Sequence, residues 1–86
     1  MRTIRNILLS MLMLVAIPAL ADSININSAD ADGLQRSLTG IGKVRAEAII
    51  DYREQNGPFE YIDDLMNVEG IGRTTVEVNR DRITLN

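Results

Sequence analysis

The chain has 86 residues, nine basic and twelve acidic side chains, a net charge of −3, and neither cysteine nor histidine. Those absences exclude a disulfide framework, a Cys/His metal centre and any catalysis built on a thiol or an imidazole. Its aromatic residues are only Tyr52, Phe59 and Tyr61, too few for a platform on which single-stranded bases stack.

Residues 1–21 read as a secretory signal peptide. Arg2 and Arg5 make a basic start, Ile7 to Ile17 is apolar except for Ser10, and Pro18 precedes the cleavage pattern Ala19-Leu20-Ala21. The alternative is a retained anchor, but the run falls well short of the roughly 20 apolar residues that span a bilayer. Cleavage after Ala21 would deliver Asp22 to Asn86 to the periplasm with no membrane span, and no cysteine follows for lipid attachment. Removing Arg2 and Arg5 leaves seven basic against twelve acidic side chains, a charge of −5. So small a domain, unstapled, must draw its stability from close packing.

Ser23 to Asn27 is a short leader. Asn27 or Ser28 is the expected N-cap of a first helix that runs to about Ser37, with Asp30 and Asp32 in its first turn. It buries Leu34 and Leu38, and Gly33 weakens it by about 1 kcal/mol relative to alanine. Thr39 to Gly42 is a turn. A longer helix follows over about Lys43 to Gln55, with Ala46, Ile49 and Ile50 on its core face, Arg53 at the edge, and Glu47, Asp51 and Glu54 on the wet face. Asn56-Gly57-Pro58 stops it, and Phe59 plugs the core. Tyr61 to Asn67 is a short helix with Ile62, Leu65 and Met66 inward, and Asp63 and Asp64 serve its first turn. Glu69 to Gly72 is a second turn. A last helix spans Arg73 to about Arg80 with Val76 inward, and Ile83 and Leu85 close back on the core. No segment reads as a convincing strand, so the fold class is an all-α bundle of about five short helices.

Gly40-Ile41-Gly42 returns 30 residues later as Gly70-Ile71-Gly72. At the same offset Leu38 matches Val68, Lys43 matches Arg73, Glu47 matches Glu77 and Asp51 matches Asp81. Neither half can bury its apolar face alone, whereas two facing halves can, which suggests a pseudo-two-fold pair. Glycine leaves no Cβ to obstruct a ligand, and the first N–H groups of a helix lack internal partners and favour anions. Ile41 and Ile71 would anchor the turns in the core, and Lys43, Arg45 and Arg73 would add cations. Such contacts grip phosphate and carry no base information. A single Gly-x-Gly between helices is more simply a tight corner. Two equivalent copies, each followed by a cation, favour the phosphate reading. Lys43–Glu47 and Arg73–Glu77 can instead be ordinary i,i+4 surface pairs.

Leu38-Thr39-Gly40-Ile41-Gly42 with Ala46, and Val68-Glu69-Gly70-Ile71-Gly72, resemble the helix-hairpin-helix motif. Ile24-Asn25-Ile26-Asn27, Ala48-Ile49-Ile50-Asp51-Tyr52-Arg53-Glu54, Asn56-Gly57-Pro58-Phe59, Asp63-Asp64-Leu65 and Asn79-Arg80-Asp81-Arg82-Ile83 extend the resemblance to the ComEA family of exported tandem helix-hairpin-helix proteins. The resemblance implies a compact helical domain that binds double-stranded DNA across the minor groove without sequence preference. In competence members this serves DNA uptake in the periplasm or at the cell surface. Components of an uptake pilus or an inner-membrane channel are the protein partners such a role implies. Carried over, the DNA contacts come from Gly40, Ile41, Gly42, Gly70, Ile71 and Gly72, assisted by Lys43, Arg45 and Arg73. The chain departs from the family pattern at Thr39, where proline or lysine is frequent, at Glu69, where lysine is frequent, and at Val44 and Thr74, near which basic residues are common. Fewer cations mean weaker binding and a shallower salt dependence.

The competing expectation is an exported interaction module that keeps the fold and has lost strong DNA binding. An enzyme is not expected, because no catalytic constellation, cofactor site or metal site is legible.

Overall fold

The computed structural model describes residues 23–86, and the two ends of that stretch lie side by side. The signal peptide expected over residues 1–21 lies outside the described residues. Strand β1 (Ile24–Asn25) runs parallel to β2 (Ile83–Thr84), with Ile24 opposite Ile83 and Asn25 opposite Thr84. The Ile26 N–H extends the ladder by donating to the Thr84 carbonyl at 3.2 Å. This pair corrects the expectation of a strand-free chain. Two-residue strands are too short to show alternation, and a parallel pair needs a long crossover. Here the helices between the two strands supply it.

Between the strands lie α1 (Ala31–Ser37), α2 (Lys43–Asn56), a 3₁₀ helix (Ile62–Asn67), α3 (Arg73–Asn79) and a 3₁₀ turn (Arg80–Arg82). The mostly helical architecture is as expected. Helix α1 starts later than expected, at an Asp30 N-cap whose Oδ1 accepts the Gly33 N–H at 2.8 Å. Aspartate suits that place because its charge also meets the positive end of the helix. Asn27, an expected cap, has another role. Its Oδ1 accepts the Phe59 N–H at 2.7 Å, while its Nδ2 donates to the carbonyls of Phe59 at 3.1 Å and Leu85 at 3.0 Å. One amide thus ties the entry of the domain to its middle and its exit. The segment before the second turn winds as a 3₁₀ helix, whose rise of about 2.0 Å per residue carries the chain farther than an α-helix would.

Helix α1 packs on α2, and the 3₁₀ helix packs on α3, giving two helical hairpins. One core serves both: Leu34, Leu38, Ala46, Ile49 and Phe59 from the first part meet Leu65, Val68, Val76 and Ile83 from the second. Ile50, Ile62 and Met66 were expected inside but are only half-buried at its margin. Phe59 is buried and stacks on Tyr52, with ring centroids 5.3 Å apart. Arg53 runs along the edge as expected, and its Nη1 donates to the Ile26 carbonyl at 2.9 Å. A cavity lined by residues including Leu38, Ile41, Ile71 and Val76 has a volume of about 10 Å³, room for no more than a single water.

Candidate nucleic-acid interface

The turn Thr39–Gly42 and its counterpart Glu69–Gly72 adopt nearly the same conformation. Leu38 and Val68 cap the preceding helices with extended backbones, and their N–H groups donate to Leu34 and Leu65. Gly40 and Gly70 then turn the chain at φ +80° and +89°, a region that side chains with a Cβ rarely enter. Ile41 and Ile71 each drop into the core, both 5% exposed. Gly42 and Gly72 follow as N-caps with φ −89° and −108°, and both are exposed.

The second glycine of each turn is the informative one. Its backbone lies in ordinary extended space, open to any residue. A Cβ built on Gly42 or Gly72 would meet no atom within 4 Å. Neither conformation nor internal packing therefore requires glycine there. Glycine suits an N-cap, and here it also leaves the approach to the backbone N–H groups unobstructed.

The helix starts agree with this. Helix α1 has Asp30 as its cap and Asp32 in its first turn, and the first 3₁₀ helix carries Asp63 and Asp64 there. Helices α2 and α3, entered from the two glycine turns, have no side-chain cap and no acidic residue in the first turn. The N–H groups that a carboxylate would satisfy elsewhere are left to solvent or to an anion. Helix α2, with fourteen residues, carries the larger dipole, and α3 has seven.

The cations resolve a second question. Neither Lys43–Glu47 nor Arg73–Glu77 forms an ion pair. Glu77 pairs instead with Arg80, which also pairs with Asp63. The hydrogen bond from Arg80 holds the Glu77 carboxyl below its ordinary range, and the two carboxylates hold the guanidinium above its own. Among the described residues, Arg80 is the only base in a salt bridge, and Arg53 is held by the Ile26 carbonyl. Arg36, Lys43, Arg45, Arg73 and Arg82 remain outside any ion pair, and each stands near a hairpin in sequence or by contact. Lys43 and Arg73 open the helices that follow the two turns, and Arg45 and Arg82 bond to the turns themselves.

Arg45 differs from the simple picture of a free cation. Its Nε donates to the Gly70 carbonyl at 2.8 Å, and its stem packs within 3.5 Å of where a Gly70 Cβ would stand. It is therefore a strut from α2 to the second turn as well as a charge at the surface. Arg82 makes the reverse crossing, with its Nη1 donating to Thr39 Oγ1 in the first turn at 2.9 Å. Asn79, 2% exposed, fixes the same residue's backbone: Oδ1 accepts the Thr39 N–H at 2.8 Å, and Nδ2 donates to the carbonyls of Thr39 at 2.9 Å and Thr75 at 2.8 Å. Sequence reading missed Arg82 and Asn79 as parts of the site. Asn79 had one legible signal, a polar residue three positions after the core residue Val76. Arg82 had none, since its partner lies 43 positions away.

The departures from a basic surface are also real. Glu69 and Thr74 are exposed, and Val44 is 80% exposed. Val44, Arg45, Ala48, Glu69 and Gly70 line one open groove between α2 and the second turn. Asp63 and Asp64 are both occupied, by Arg80 and by the Tyr61 N–H at 3.2 Å.

Comparison with known proteins places the arrangement. The helix-hairpin-helix motif family matches residues 20–84. An uncharacterized protein of Haemophilus influenzae is 52% identical over 69 residues, covering 80% of this chain and 62% of that protein. ComE operon protein 1 of Bacillus subtilis is 45% identical over 62 residues, covering 72% of this chain but 30% of that protein. The human endonuclease/exonuclease/phosphatase family domain-containing protein 1 is 38% identical over 56 residues, which cover 10% of it. The chain thus spans less than two thirds of the length of these relatives. With nearly all of its described residues inside the family match and both hairpins formed, the chain belongs to the helix-hairpin-helix family and is of the ComEA type.

Proposed function

We propose that this protein binds double-stranded DNA without sequence preference, resting one phosphate run on each Gly-Ile-Gly turn. The observation that carries the proposal is the pair of surface glycines, Gly42 and Gly72. Neither backbone angle nor packing calls for glycine at these positions, and each opens a helix without cap or first-turn acid. The N–H groups at Gly40 to Gly42 and at Gly70 and Gly72 would take phosphate oxygens, whereas the Ile71 N–H is held by the Val68 carbonyl at 3.1 Å, and Lys43, Arg45 and Arg73 would supply charge. Family membership and similarity to ComE operon protein 1 support a role in competence. The signal-peptide pattern supports a periplasmic site of action, with the chain cleaved after Ala21. A pilus or channel component of the uptake machinery is the natural protein partner. The helix-hairpin-helix match and the similarity to ComE operon protein 1 support a domain that grips DNA without catalysis.

The test is fluorescence anisotropy of residues 22–86 with a short random-sequence duplex across a salt series. Three neutralised phosphates predict a slope of about −2.7 in log K against log salt, unaltered by changing the sequence. Mass spectrometry of the exported protein tests the cleavage: the proposal requires a mature chain that starts at Asp22.

Glu69 and the exposed Val44 favour a second reading, in which the groove between α2 and the second turn meets a protein. Failure to bind duplex at micromolar protein and low salt would select it.

A further inference from the structure

Resting on the DNA-binding reading above, we propose that Arg82 is a phosphate ligand of the first hairpin, presented there by Thr39. In sequence Arg82 belongs to the exit of the domain, far from either glycine turn. In the structure it lies in the 3₁₀ turn after α3 and reaches back to Thr39, the residue immediately before Gly40.

Three observations carry the assignment. Arg82 takes part in no salt bridge, although Asp81 is its neighbour in sequence. Only its Nη1 is engaged, by the Thr39 hydroxyl at 2.9 Å, so Nη2 and Nε have no protein acceptor among the described residues. A guanidinium offers five N–H donors in a planar fork suited to phosphate, and most of that capacity remains free. Finally, the place where it docks is rigid. Asn79 clamps both the N–H and the carbonyl of Thr39, and Ile41 anchors the turn in the core. A guanidinium that is fixed beforehand, beside backbone N–H groups open to an anion, loses less freedom when a phosphate arrives.

The arrangement also gives the Thr39 side chain a role. A lysine would bring its own charge to the turn. Threonine brings none but supplies an acceptor that holds a charge sent from the other half of the domain. Arg45 makes the complementary crossing to the second turn, through the Gly70 carbonyl. Each hairpin is therefore served by an arginine from the opposite half. The two crossings are not sequence equivalents, and neither could be inferred from the repeat.

The experiment compares the wild type with Arg82→Gln, Arg82→Lys and Thr39→Val in the same salt series. Glutamine keeps much of the stem and a donor for Thr39, so the turn keeps its contact while the charge is lost. With Arg82 counted, four cations predict a wild-type slope of about −3.6, and Arg82→Gln should reduce it to about −2.7. Between 50 and 200 mM salt, that converts an affinity loss of about 150-fold into one of about 40-fold. Arg82→Lys should restore the slope. Thr39→Val should weaken binding in the wild type but have no further effect in the Arg82→Gln background, the signature of a coupled pair. A steep wild-type slope left unchanged by Arg82→Gln would overturn the assignment while leaving the hairpin grip standing. No duplex binding by the wild type would overturn both.

Discussion

Replacing Gly42 and Gly72 by valine separates folding from binding more cleanly than any other change in this domain. Both backbones lie in space that valine occupies readily, and an added Cβ meets nothing within 4 Å. The cost to stability is confined to the weaker N-cap preference of valine, about 1 kcal/mol per site. The effect on DNA should be far larger. Two methyl groups would stand over the N–H groups that a phosphate must reach. A hydrogen bond to a charged partner contributes about 1.5–3 kcal/mol, so each blocked turn should weaken binding roughly 10- to 100-fold, and the double variant should lose measurable affinity. Circular dichroism melts and anisotropy with a random duplex read the two quantities separately. A double variant that stays helical and binds like the wild type would refute the phosphate assignment. Gly40→Ala provides the opposite control. Its φ of +80° is strained for any Cβ, so stability should fall by about 1–2 kcal/mol through the turn itself.

Asn79→Ala should destabilise by about 1–3 kcal/mol, because it leaves the Thr39 N–H and carbonyl without their partner; a urea titration that shows no change in midpoint would mean that the turn holds itself. Glu69→Lys should tighten DNA binding and steepen the salt slope by about 0.9 as one more phosphate is neutralised. Unchanged affinity would show that the second turn faces away from DNA. Glu77 has a folded pKa below its ordinary value of 4.5, chiefly through the Arg80 hydrogen bond. Its contribution to stability is therefore present above that value and disappears as pH falls through the lowered one. Because the group is exposed the contribution is small: Glu77→Gln should lower stability slightly at neutral pH and converge with the wild type as pH falls below about 4.5; an identical pH profile in both proteins would count against the pairing.

The local rules written into the chain determined the helices, their order and the two turns. Helical periodicity placed Ala46 and Ile49 inward, Gly57 and Pro58 stopped α2 where a helix must stop, and the repeat identified Gly40, Gly42, Gly70 and Gly72 before any geometry was known. These features depend on neighbours within about four residues, and so they are legible in one dimension. The distinction between the first and second glycine of each turn was not legible, because one answers to a backbone angle and the other to empty space. The parallel pair of Ile24–Asn25 with Ile83–Thr84, the Asn27 strap and the Asn79 clamp required the ends of the chain to meet. The same is true of charge. Composition shows only an acidic domain; tertiary contacts commit Arg53 and Arg80 to internal partners and send Arg45 and Arg82 across to opposite hairpins. Contacts between residues 25 to 58 positions apart are set by the packing of one shared core, and no local pattern encodes which polar groups that packing brings together.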